Sequence, residues 1–245
     1  MRRPFPTLAL SFGAALILCL TGAEARADGI VFLGPSTLRP DGVGIRTVLS
    51  LQSPGRSSSE TGGIGYTGSR DSSFVFNGAN DVTRGGTNNT VLVSSLGISN
   101  ATQIRIGFNI NEPNGGPGSD PVTIQSLVLN AYNPSGAIVF SASLIPSSCP
   151  GGNCTLTLLG NGQGTADYLF SLDNEAAQRF ATIFSSNLRL GVAATVLNAQ
   201  GGPESFYIYI SADRVSEPIP EPATLVLLGS GLAGIAAKIR KRRRA

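Results

Sequence analysis

The chain has 245 residues, 41% hydrophobic and 13% charged, with three cysteines and neither histidine nor tryptophan. Of its 18 basic residues three lie in residues 1–27 and six beyond Pro220, leaving nine against thirteen acidic ones in 28–219: the formal +3 becomes −4, with no lysine in that body. A mildly acidic body without a basic surface excludes phosphate-driven nucleic-acid binding, and the lack of histidine excludes Ser-His-Asp and Cys-His nucleophiles and His-ligated metal sites.

Residues 1–27 have the three parts of a secretory signal peptide: Arg2 and Arg3, an apolar stretch Leu8–Leu20, and the small-residue site Ala25-Arg26-Ala27. Cleavage by signal peptidase after Ala27 makes Asp28 the mature N-terminus. Leu18 stands before Cys19 where a lipoprotein site needs a small residue.

The exported domain is assigned to 28–215, long enough for one large domain or at most two small ones. Alternation and turn residues dominate it. Weak strands are expected at Arg46–Gln52, Ser73–Phe76 and Thr90–Val93, with a flexible Ser/Gly loop over Pro54–Gly68 and polar turns over Asn77–Asn89 and Asn111–Pro121. Gln103–Ile110 places Ile104, Ile106, Phe108 and Ile110 on one face, with Arg105 and Asn109 on the other. Val122–Tyr132 and Ala137–Leu144 flank the turn Asn133-Pro134-Ser135-Gly136 and read as paired strands. Cys149 and Cys154 bracket Pro150-Gly151-Gly152, a turn tight enough for a small disulfide loop in an oxidising compartment. A further strand covers Leu156–Leu159. One helix is predicted over Ala176–Ser185, capped by Asp173 or Asn174, with Ala176, Phe180, Ile183 and Phe184 on its apolar side. Strands at Asn187–Leu197 and Ser205–Ala212 flank Gln200-Gly201-Gly202-Pro203. The fold class expected is all-β: a β-sandwich or jelly-roll-like domain with one short helix covering an open end.

Chemical candidates in the body are weak. Glu112, Asn114 and Asp120 could offer oxygen ligands to a structural calcium, with Asp167, Asp173 and Glu175 second. Neither set follows a spaced calcium loop, and turn formation or helix capping explains both. No motif singles out a carboxylate pair for glycoside hydrolysis, so no enzyme activity and no cofactor is expected. Tyr66, Tyr132, Tyr168, Tyr207 and Tyr209 could stack on sugars. Tyr207 and Tyr209 share one strand face, a polysaccharide contact if solvated and plain core if covered.

Residues 216–245 are a linker followed by a three-part tail. Pro220-Glu221-Pro222 precedes an uncharged run, Ala223–Ala237, and a basic end of Lys238, Arg240, Lys241, Arg242, Arg243 and Arg244. As a helix, 223–237 spans about 23 Å. The hydrocarbon core is about 30 Å thick, and the Lys238 and Arg240 stems can cover the difference by snorkelling. The basic end should stay cytoplasmic, with the domain outside. These parts, in this order at the C-terminus, resemble the PEP-CTERM sorting signal. The resemblance implies recognition by a membrane exosortase near Pro220-Glu221-Pro222, removal of the tail, and release or attachment at the outer surface of a Gram-negative-type bacterium that makes exopolysaccharide or biofilm. The expected protein is thus exported through an inner-membrane intermediate to the cell surface or medium, in a structural or adhesive role, with polysaccharide as the partner it meets there. The alternatives are a carbohydrate-binding module and a permanently membrane-tethered periplasmic domain.

Overall fold

The computed structural model describes residues 29–36, 46–53, 58–83, 88–111, 121–160, 165–199 and 202–210. Among the described residues twelve strands form one sheet. They are β1 (Gly29–Pro35), β2 (Arg46–Leu51), β3 (Ser59–Tyr66), β4 (Asp71–Phe74), β5 (Val91–Leu92), β6 (Ile104–Asn109), β7 (Val122–Tyr132), β8 (Ile138–Leu144), β9 (Thr155–Leu156), β10 (Tyr168–Leu172), β11 (Arg189–Leu197) and β12 (Glu204–Ile210). Two helices accompany them, a single turn α1 (Val93–Leu96) and α2 (Asn174–Ala181). The order across the sheet is β2-β12-β6-β10-β1-β8-β7-β11-β3-β4, with β5 paired to β11 and β9 to β7.

The all-β class with a short capping helix holds, but the two layers arise by curling one sheet. β1 is the joint. It pairs antiparallel with β10, and parallel with β8 through Gly29↔Ser143 and Ile30↔Leu144. At the far side the curl is stitched by Asp81. Its N–H donates to the Thr61 carbonyl at 2.7 Å and its carbonyl accepts from Gln52 N–H at 2.8 Å, so one residue bonds both to β3 and to the residue that follows β2. Inside lie the fully buried Phe108, Phe170, Phe206, Leu49, Ile106 and Ile30, with the Phe108 and Phe206 rings stacked at 4.8 Å. Such rings supply the largest apolar areas of a core.

The alternation of β6 and β12 reads correctly: Ile104, Ile106, Phe108, Phe206 and Ile208 are all essentially inaccessible. Paired β7 and β8 also form, with Asn133 Oδ1 accepting from Ser135 and Ala137 N–H at 3.0 Å each in their turn. Other expectations need correcting. Pro54–Gly68 is not simply a flexible loop, because it contains β3, an interior strand between β11 and β4. Its glycines are spaces for other side chains. A Cβ on Gly63 would meet the Phe74 ring at 2.4 Å, and one on Gly65 the Tyr132 hydroxyl at 2.7 Å. β1 and β10 carry apolar runs without clean alternation, as interior strands do. Val93 starts α1 instead of ending a strand, and the strand expected over Leu156–Leu159 shrinks to Thr155–Leu156.

The α2 helix begins where predicted. Asp173 Oδ1 accepts from Ala176 N–H at 2.7 Å, the N-cap bond that satisfies a first-turn donor. Asp173 Oδ2 also accepts from Gly29 N–H at 3.0 Å, tying the helix to the start of β1. Ala176, Ala177 and Phe180 are buried, with Phe180 packed on Phe140 at 4.7 Å. The helix stops at Ala181, and Ile183 N–H donates to the Phe180 carbonyl in a tighter closing turn. Ile183 therefore leaves the apolar stripe and is 37% exposed, against the sequence expectation.

Candidate functional site

The paired registers give the domain two ends. At the α2 end β1 starts, β10 finishes, β6 starts and β12 finishes. Ile30 faces Leu172, Ser171 faces Arg105, and Ile104 faces Ile210. The first and last strands thus enter and leave on one row, three strand spacings apart, or about 15 Å. At the opposite, loop end β1 finishes at Pro35, β6 at Asn109, and β10 and β12 begin.

The loop end buries three carboxylates, Glu60, Asp167 and Glu204, each 0% exposed; of these the sequence reading singled out only Asp167, and as a calcium ligand. Asp167 Oδ2 accepts from Ile110 N–H at 2.8 Å and from Asn109 Nδ2 at 3.2 Å, while Asn109 Nδ2 also donates to the Thr165 carbonyl at 2.6 Å. Glu60 Oε1 accepts from Ser53 N–H at 3.0 Å. These are directional contacts fixing the backbone at the strand ends. Sequence alone marks them only as acids near Gly, Asn or Pro.

The second calcium grouping is not assembled. Asp167 and Asp173 sit at opposite ends of β10, about 20 Å apart along the strand, and Asp173 is engaged as the helix cap. Glu112 and Asp120, the first choice, lie outside the described residues. Among the described residues no group of three or more His, Cys, Asp or Glu side chains could hold a metal ion.

The tyrosine stripe is core. Tyr207 is 6% and Tyr209 3% exposed. A Cβ on Gly107 would come within 2.8 Å of both the Tyr209 ring and Ala166, so glycine lets the ring lie flat under a covering segment. Burial pushes the Tyr209 hydroxyl up to about 12, against lesser opposing effects of the nearby Ser36 side chain and the Arg105 charge. Burial also raises Tyr132, offset in part by its bond with Asn130. Tyr168 is buried and donates to the Thr157 carbonyl at 2.8 Å. Tyr66 is half-buried, and the Arg189 guanidinium lies 4.7 Å over its ring.

Cys149 and Cys154 form the expected disulfide, with Cα atoms 4.9 Å apart. The turn between them needs left-handed backbone at Gly151 (φ 65°) and Gly152 (φ 75°), which glycine adopts without a steric penalty. Cys154 is fully buried, so the bond is structural in character.

The processing motifs expected from the sequence flank this domain. Ala25, Ala27 and Asp28 at the front, and Pro220, Glu221, Pro222, Lys238, Arg240, Lys241, Arg242, Arg243 and Arg244 at the back, lie outside the described residues. No helix among the described residues is long and apolar enough to cross a membrane. Comparison with known families matches residues 218–243 to PEP_exosort_dom, the PEP-CTERM protein-sorting motif. No curated protein matches the chain. A PEP-CTERM sorting signal therefore stands near the C-terminus, beginning eight residues after the last strand. It is a non-catalytic address that implies an encounter with an exosortase and supports export to the cell surface.

Proposed function

We propose that the chain is a structural or adhesive component of the extracellular matrix, delivered by two cuts. Signal peptidase cleaves after Ala27, the segment 223–237 halts in the inner membrane of a Gram-negative-type cell, and the exosortase cuts near Pro220-Glu221-Pro222. The observation that carries this reading is the sorting motif at 218–243. The fold supports it by its boundaries. β1 starts at Gly29, two residues after the proposed first cut, and β12 ends at Ile210, just short of the second. A disulfide suits the oxidising side of the membrane. Burial of Tyr207 and Tyr209 weighs against a sugar-stacking module on that face.

Intact-mass analysis of the protein from cell envelope and medium tests this. The expected species begins at Asp28 and ends near Pro220-Glu221-Pro222. A mature species that keeps Arg240–Arg244 would replace the reading with a permanently tethered periplasmic domain.

A further inference from the structure

The end of the domain from which both chain termini depart also gathers exposed apolar side chains. Five large hydrophobic residues are exposed among the described residues, and three lie here: Ile138 (56%), Val139 (40%) and Ile183 (37%). β8 runs parallel to β1 with Ser143 beside Gly29, so Ile138 and Val139 overhang the start of β1. Arg179 of α2 crosses to this overhang, its guanidinium 5.0 Å over the Phe140 ring and its Nη2 donating to the Ser141 carbonyl at 2.8 Å. Between strand and helix lies an open groove of about 220 Å³, lined by Val139, Phe140, Ser141, Arg179, Thr182 and Ile183.

Where the chain continues from here decides what meets this patch. Twelve residues separate Ile210 from Ala223, the first residue of the uncharged segment. Even fully extended, a link of that length spans at most about 43 Å, and it starts from the α2 end, whereas the loop end lies farther off by the length of the strands, about 36 Å for the 11 residues of β7 at about 3.3 Å each. With the tail inserted, the α2 end is therefore held nearer the bilayer than the loop end.

We propose that Ile138, Val139 and Ile183 form a membrane-facing surface. They rest in the headgroup layer while the tail is anchored. The proposal rests on the reading of 223–237 as a membrane segment. Three apolar side chains bind a bilayer weakly alone, and the tether supplies the local concentration that keeps them there. Removal of the tail then frees the domain without any change of fold.

The test uses the full chain in a Cys19→Ser background, purified from a host without an exosortase and reconstituted into phosphatidylethanolamine–phosphatidylglycerol vesicles that carry a headgroup quencher. A fluorophore is placed through Ile183→Cys or, at the loop end, through Ser58→Cys, next to the Ser59↔Leu197 pair. Quenching is expected to be several-fold stronger at position 183. Adding Val139→Asp should reduce it several-fold with no loss of vesicle flotation. Equal quenching at the two positions, or quenching indifferent to Val139→Asp, overturns the proposal while leaving the tail reading intact. A chain that fails to float with the vesicles overturns the tail reading, and the proposal with it.

Discussion

The two ends of the curled sheet are closed by different physics. At the α2 end, Ala176, Ala177 and Phe180 fill the opening with apolar volume. At the loop end, Glu60, Asp167 and Glu204 sit fully buried, with backbone N–H groups at Ser53 and Ile110 fixed by the first two. Apolar closure depends on volume and tolerates shape changes of similar size. Carboxylate closure depends on charge and direction, so a nearly isosteric change should be felt there.

The largest effect expected is from Phe180→Ala. It removes a ring packed against Phe140 and Phe184 and should cost about 3–5 kcal/mol in urea unfolding. A loss below about 1 kcal/mol would mean that α2 is not the seal it looks to be. Asp167→Asn comes next. It keeps the volume but weakens the acceptor of Ile110 N–H and Asn109 Nδ2, at a cost of about 1–3 kcal/mol. If Asp167→Asn proves neutral while Phe180→Leu does not, the contrast between the ends collapses.

The disulfide sharpens the contrast at the loop end, since Thr155 and Leu156 lead from it into pairing with Thr123 and Val122. Its loop is short, with a separation of 5 residues, so the double change Cys149→Ser/Cys154→Ser should cost only about 2 kcal/mol. Loss of all folded protein would show that the hairpin, not the sheet, holds the domain. The smallest effect at neutral pH is from Tyr209→Phe. Tyr209 titrates at about 12 in the fold against 10.0 unfolded. The protonated form therefore stabilises the fold fully below pH 10.0, and that contribution fades as pH rises through about 12. Urea midpoints across this alkaline range should fall less steeply for Tyr209→Phe than for the native chain.

What could be read from the sequence follows from what periodicity encodes. β6, β8 and β12 alternate and were legible; β7 and β11 were legible as apolar runs beside turn residues, as were the Asn133–Gly136 turn, the Asp173 cap and the Cys149–Cys154 pair. β3 was not, because Gly62, Gly63 and Gly65 owe their place to side chains from Val82, Phe74 and Tyr132, which are distant in sequence. The Tyr207–Tyr209 stripe was correctly located as a face. Alternation separates two faces but says nothing of a second layer, and here a neighbouring segment bearing Ala166 covers one of them. The sorting motif at 218–243 was legible because it is local in sequence and needs no fold to be read.

β12 lies between β2 and β6, so the last strand before the sorting tail is an interior one. It is bonded antiparallel on both sides, from Glu204 to Ile208 against β2 and from Ser205 to Ile210 against β6. Tension applied at Ile210 is carried in shear along two rows of hydrogen bonds sharing the load, with no free edge from which to peel. A chain held by its C-terminus in flowing liquid would thus transmit drag through the middle of its sheet, and the strand nearest the anchor would be among the last to be pulled out.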